Sequence, residues 1–350
     1  MSEAKARRGN YFEDFSVGQV IEHAAPRTLS SGDVALYMGL YGPRFAVQSS
    51  DAFARAIGYP GAPLDDLLVF HTVFGKTVAD ISLNAIANLG YAECRFLRPV
   101  YPGDTLSAVS EIIGVRENSN GASGVVYVRT FGRNQRGNRV LSYVRWVMVR
   151  KRDRLAAAPS AVVPELAAKV EPADLGAAVP NLDVARYDFA LAGAPHRWGD
   201  YAEGERIDHL DAMTLEEAEH QIATRLYQNT ARVHFNHHEP SPFKGRLVYG
   251  GVVISLARAL SYNGLANAFH IAAINAGRHV GPCHAGETIY AWSQILEKAE
   301  IPGRSDIGAL RVRLTATKNR SCADHPLFTP TGAYAEGVLL DLDWWLAVPR

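Results

Sequence analysis

Residues 14–41 read DFSVGQVIEHAAPRTLSSGDVALYMGLY, and residues 200–227 read DYAEGERIDHLDAMTLEEAEHQIATRLY. Set together without gaps at an offset of 186, they share eight of 28 positions: Asp14/Asp200, Gly18/Gly204, Ile21/Ile207, His23/His209, Thr28/Thr214, Leu29/Leu215, Leu40/Leu226 and Tyr41/Tyr227. Identity at that density within one chain marks one structural unit built twice. The same register then places Gln48 opposite His234. A duplicated scaffold with an imidazole in one copy and an inert amide in the other predicts a two-domain enzyme with one active site.

Composition fits that reading. The chain has 350 residues, 47% hydrophobic and 21% charged, enough for two domains that each bury a core. Its 36 basic and 36 acidic residues balance, so no cationic surface argues for nucleic acid or an anionic membrane as partner. Cys94, Cys283 and Cys322 are odd in number and scattered, which points to a reducing compartment rather than a disulfide framework or zinc knuckle. The opening MSEAKARRGN lacks the apolar run of a signal peptide, and no later stretch is long and apolar enough to span a bilayer. The expected location is the cytoplasm.

After a strand-like run ending at Val149 come charges over Arg150–Arg154 and then closely spaced prolines, Pro159, Pro164, Pro172 and Pro180, which exclude a long helix. The expected organisation is therefore a domain over 1–153, a surface linker over 154–196, and a second domain over 197–350. Each half should run from an opening segment through a helical stretch to a longer buried helix, then several strands. In the first half the helix is expected over Leu67–Ile81, with strands over Tyr91–Leu97, Thr105–Val115, Val125–Gly132 and Arg139–Val149. In the second, the helix is expected over Val252–Tyr262, with strands near Ala268–Ala276, Glu287–Leu296, Ile307–Thr317 and Ala333–Ala347. Gly103-Asp104-Thr105 meets Gly286-Glu287-Thr288 at an offset of 183, so the copies differ there by a net three residues. A helix followed by an antiparallel sheet that wraps it is an α+β unit.

This pattern resembles the hot dog fold, and the second half resembles the MaoC-type enoyl-CoA hydratases, whose motif is approximately G-D-x-N-P-x-H-x-D before a V-H-G at the start of the central helix. QNTARVHFN, residues 228–236, fits that frame with His234 on the catalytic histidine and Asn229 on the catalytic aspartate, and Val248-Tyr249-Gly250 fits V-H-G. LYQNTARVHFN, RLVYGG, VISLARALSYNGLANAFHIAAINAGRHVGP and the opening YFEDFSVG are similar to the members of that family that hydrate mesaconyl-CoA. The similarity covers nearly the whole chain. It implies a double hot dog hydro-lyase that interconverts mesaconyl-CoA plus water and β-methylmalyl-CoA, within glyoxylate-linked acetyl-CoA assimilation or the 3-hydroxypropionate cycle. CoA is then part of the substrate, with no separate cofactor and no metal, and a homo-oligomer stays open.

The chemistry can be rebuilt from the residues. Adding water across an α,β-unsaturated thioester needs a base for the water, a proton for the α-carbon, and donors for the transient enolate oxygen. His234 is the candidate proton carrier. Gly250 and Gly251 precede a helix whose first N–H groups are unpaired, and without side chains they admit a thioester carbonyl; Gly250 is the expected oxyanion donor. Asn229 stands where the family has aspartate and cannot carry a proton, so it orients water or substrate, or a carboxylate such as Glu239 reaches in. Arg232 replaces the motif proline. If that stretch is extended, Arg232 shares a face with His234 and suits a substrate with a second carboxylate. Tyr249 and Arg278 complete the expected substrate contacts.

Duller readings stand beside these. Gly250-Gly251 also suits close helix packing, Arg232 a surface ion pair, and His234, His237, His238 and Glu239 a metal site. Arg278 and His279 suit CoA phosphates, while Gly277 beside them suits a strand kink. His23 and His209 recur in both copies, which points to a hydrogen-bonding role in packing. In the first half Pro43 and Gln48 replace the aspartate and histidine, and Asp65-Asp66-Leu67 replaces the double glycine. That half is expected to house the acyl group or pantetheine. Rival activities are a hot dog thioesterase and a non-catalytic acyl-CoA-binding protein.

Overall fold

The computed structural model describes residues 5–239 and 245–350. The first half runs β1 (Val20–Thr28), α1 (Ser31–Tyr41), two short helices α2 (Ala46–Ser49) and α3 (Asp51–Ala56), the central helix α4 (Asp66–Thr77), then β2 (Ala85–Phe96), β3 (Thr105–Glu117), β4 (Ser123–Arg133) and β5 (Arg139–Arg150). The second runs β6 (Arg206–Thr214), α5 (Glu217–Leu226), α6 (Gly250–Leu260), α7 (Tyr262–Leu265), β7 (His270–His279), β8 (Thr288–Glu300), β9 (Ile307–Lys318) and β10 (Val338–Pro349). All ten strands form one antiparallel sheet in the order β1-β3-β4-β5-β2-β7-β10-β9-β8-β6. The order is a palindrome: strands equivalent in the repeat lie at equal distances from the β2–β7 seam. There Tyr91 pairs with Gly277 and Arg95 with Ala273.

The repeat shows in side-chain detail as well. Tyr41 and Tyr227, equivalent at the offset of 186, touch hydroxyl to hydroxyl at 2.9 Å. His23 Nε2 meets Ser110 Oγ at 2.8 Å, and His209 Nε2 meets Ser293 Oγ at 2.8 Å. Their Nδ1 atoms are held at 2.8 Å by Asp80 Oδ2 and by the Asn263 carbonyl respectively. Both imidazoles thus pin an edge strand, β1 or β6, to the chain below.

Every residue of α4 from Leu67 to Thr77 is buried, and α6 is buried from Gly251 to Leu260. Each fully buried Leu, Val, Ile or Phe there contributes about 1.5–3 kcal/mol by leaving water. One hydrophobic core spans both halves, from Leu67, Phe70 and Phe74 to Val252, Leu256 and Trp344. The halves also meet backbone to helix: a Cβ on Gly75 of α4 would lie 1.8 Å from the Tyr227 carbonyl oxygen.

Several expectations are corrected. The first central helix is α-helical only to Thr77 and finishes in a π turn over Val78–Ser82. β1 and β6 are strands where the sequence suggested only opening segments; each lies at an edge with one deeply buried residue, His23 or His209, so neither shows apolar alternation. The last strand starts at Val338 rather than Ala333, because Gly337 at φ +85° breaks the run, and residues before it fold over Trp292. Residues 154–196 carry 3-10 turns at Pro172–Asp174 and Val184–Arg186 and a bridge from Val162 to Val115, yet bury Val170, Leu175, Val179 and Tyr187 in a second cluster against β7, β9 and β10. No helix among the described residues is long and apolar enough to cross a membrane.

Candidate active site

The segment after α5 delivers the motif. The Asn229 side-chain oxygen accepts from Ala231 N at 2.9 Å, a short Asx turn that launches a 3-10 turn over Arg232–His234. His234 Nδ1 lies 2.9 Å from the Leu247 carbonyl. A carbonyl can only accept, so Nδ1 carries the proton and Nε2 presents a lone pair. Tyr249, just before α6, sets its ring edge-on to the imidazole with centroids 5.6 Å apart, and its hydroxyl reaches His71 Nδ1 on α4 at 3.3 Å. Helix α6 opens at Gly250 with no side-chain cap; Val252 N bonds the Tyr249 carbonyl at 2.8 Å, which leaves the Gly250 and Gly251 N–H groups without a partner among the described residues.

These groups line one cavity of about 370 Å³. His234, Asn229, Tyr249 and Gly250 are all on its wall, beside Val233, Leu247, Val253, His279 and Cys283. The opposite wall comes from the other half: Phe74, Val78 and Ser82 around the π turn, Asn88 and Tyr91 of β2, and Arg145 and Val147 of β5. A site of this kind needs both copies of the repeat, since neither encloses it alone.

Burial pushes His234 down to about 4, against the hydrogen bond to Leu247 and with help from His220. His279, on the same wall, is also lowered to about 4 by burial and then by His234. Both imidazoles are therefore neutral at pH 7, as a general base must be. kcat/KM should stay level from roughly pH 8 to 6 and fall toward pH 4 as the pair takes up a proton. A pH–rate profile with its acidic limb centred at 6.5 or above would remove His234 from the base role.

The structure brings His234, Asn229, Tyr249 and Gly250 together on the cavity and leaves the other expected residues off it. Arg232 does not line the cavity; the stretch is a 3-10 turn, in which side chains two apart diverge by about 240°, so it does not share a face with His234. Gly251 is also off the wall: a Cβ there would meet Tyr249 and His71 at 2.4 and 2.6 Å, a packing role. Arg278 is exposed on the outer face of β7 beside Tyr334, while its neighbour His279 faces inward. Glu239 does not reach the cavity, whose lining contains no aspartate or glutamate. His237 and His238 are exposed, and no three metal-ligating side chains converge among the described residues.

Arg145 was missed as a lining residue, and His279, weighed only as a CoA-phosphate contact, lines the cavity. His279 Nε2 meets Tyr91 OH at 3.0 Å, and its ring lies against Gly250, where a Cβ would sit 2.3 Å from Cε1. Arg145 had a legible signal: in RVLSYVRWVMVR it shares alternation with inward Leu141, Tyr143 and Val147, where a charge is out of place. The site related by the repeat is filled. Around Gln48 only about 10 Å³ remains between Tyr37, Pro43, Phe45 and Asp65. Gln48 Nε2 donates to the Phe269 carbonyl at 2.8 Å, and the Arg258 guanidinium lies 3.7 Å over the Phe45 ring.

Two central helices wrapped by one continuous antiparallel sheet, with His234 and the start of the second central helix on the wall of one cavity, define a MaoC-like dehydratase of the double hot dog class. The structure superposes with TM-score 0.97 on a MaoC domain dehydratase from Chloroflexus aurantiacus, 60% identical over 99% of both chains. A double hot dog protein from Mycobacterium tuberculosis matches with TM-score 0.69 and 25% identity, over 97% of this chain and 98% of that one. The chain belongs to the mesaconyl-CoA hydratase family, whose sequence profile matches residues 2–332. It is 60% identical to the mesaconyl-CoA hydratase of Cereibacter sphaeroides, over 99% of this chain and 100% of that one. It is equally 60% identical to the β-methylmalyl-CoA dehydratase of Chloroflexus aurantiacus, over 99% of each.

Proposed function

We propose that the protein reversibly adds water to mesaconyl-CoA to give β-methylmalyl-CoA. The observation that carries this is the meeting, in one cavity, of a neutral imidazole with its Nε2 free and the uncapped helix start at Gly250. The thioester carbonyl docks on the Gly250 N–H. His234 Nε2 takes a proton from water as its oxygen bonds to the β-carbon, and the alkene pair moves onto the thioester oxygen as an enolate. The protonated imidazole then returns that proton to the α-carbon, so one group serves both steps. The Asn229 side-chain oxygen accepts from Ala231 N, which leaves its NH₂ to hold the water or the carbonyl.

The protein's own residues supply every step of this scheme, so no metal or redox group enters it. Thioester hydrolysis through a thiolate fits the cavity poorly: burial, then Glu287, holds the Cys283 thiol up at about 12. The buried free thiols Cys94, Cys283 and Cys322 suit a reducing cytoplasm. The test follows conjugated thioester absorbance and free thiol together on mesaconyl-CoA, with and without EDTA. Expected is loss of absorbance without thiol release, at the same rate in EDTA. Thiol release would make the protein a thioesterase, and inhibition relieved by zinc or iron would give it a metal.

A further inference from the structure

We propose that Arg145, from the half without the motif, receives the free carboxylate of the substrate and thereby selects dicarboxylyl thioesters. The inference rests on the hydration reaction proposed above. Arg145 is 0% exposed on β5 and lines the cavity that holds His234 and Gly250. Its Nη2 donates to two neutral hydroxyls, Thr77 Oγ1 at 2.9 Å and Ser82 Oγ at 3.3 Å. Its Nη1 and Nε have no hydrogen-bond partner among the described residues. The Phe74 ring lies 4.3 Å beneath the guanidinium, and the ionisable groups that act on it are tyrosines, Tyr143, Tyr91 and Tyr249, rather than carboxylates. A buried cation is strongly unfavourable unless an anion pairs with it, so this wall lacks a counter-ion that a substrate can bring.

The repeat shows that the scaffold does not demand this arginine. Arg145 pairs with Tyr91 on β2, and the equivalent pair in the second half is Trp344 with Ile274 on β7. Trp344 is also 0% exposed, so the same position packs well with an apolar ring. Asn88 brings Nδ2 and Oδ1, also without a hydrogen-bond partner among the described residues, to the same wall. The substrate supplies the complement. In mesaconyl-CoA the free carboxylate is attached to the β-carbon, trans to the thioester, whichever carboxyl carries CoA. With the carbonyl on Gly250 and the β-carbon at His234, that anion points onward into the cavity wall. Phe74, Val78, Val147 and Val253 there would repel it without a cation.

The test compares kcat/KM on mesaconyl-CoA and on crotonyl-CoA, which carries a methyl group where mesaconyl-CoA carries the carboxylate. Arg145→Met should lower the preference for mesaconyl-CoA by about 30 to 150-fold while crotonyl-CoA turnover changes little. Arg145→Gln, which keeps donors for Thr77 and Ser82 but no charge, should do the same and carries the comparison if the Met variant does not fold. Equal losses on both substrates, or an unchanged preference, overturn the assignment and leave the hydration reaction standing. A wild-type enzyme that hydrates crotonyl-CoA but not mesaconyl-CoA overturns both.

Discussion

His234→Ala should reduce kcat by ~100 to 10,000-fold, the usual contribution of a general acid–base group, while circular dichroism stays that of the wild type. The size follows from the cavity: among the described residues no carboxylate lines it, and the other imidazole on the wall, His279, has its Nε2 against the Tyr91 hydroxyl. Gln48→Ala, at the repeat-related position, should leave kcat within a few-fold. Gln48 sits beside a void of about 10 Å³ and spends its amide on the Phe269 carbonyl, so its loss affects packing rather than turnover. Steady-state kinetics on the two variants decide the matter. A Gln48→Ala enzyme more damaged than His234→Ala would mean that the wrong half was given the chemistry.

The second large effect is expected at Gly250. Alanine is the better helix former by about 1 kcal/mol, so propensity alone favours Gly250→Ala. The new Cβ, however, would lie 2.3 Å from His279 Cε1 and 2.6 Å from Nδ1, and that ring is held by Tyr91. Either the helix start or the imidazole must move. The donor would then leave the position where the enolate oxygen forms, and losing one such donor costs ~100 to 1,000-fold in kcat. KM should change much less, because the contact strengthens as charge develops. A Gly250→Ala enzyme with wild-type kcat would confine Gly250 to packing.

What could be read from the chain was what is contiguous in it. The repeat across Asp14–Tyr41 and Asp200–Tyr227, and the segment from Asn229 to Gly250, each lie within a few turns of backbone. Local spacing therefore fixed the helix–sheet order, the location of His234 and Gly250, and the asymmetry between Gln48 and His234. The edge strands β1 and β6 escaped because solvent on both faces erases alternation.

Arg232 misled for a local reason: the Asx turn at Asn229 coils the following residues into a 3-10 turn, and proximity in sequence did not become a shared face. The opposite wall of the cavity had no local signature at all. Arg145 lies 89 positions before His234 and is brought to it by the docking of α4 against the chain before α6 and by the β2–β7 seam. The sequence by itself determined two hot dogs and a motif histidine in only one of them, because periodicity and motif are short-range properties of the chain. Only the tertiary structure decided that the copy without the motif builds the opposite wall of the cavity and buries there an arginine that has no carboxylate partner among the described residues, because burial and charge pairing depend on what long-range packing places side by side.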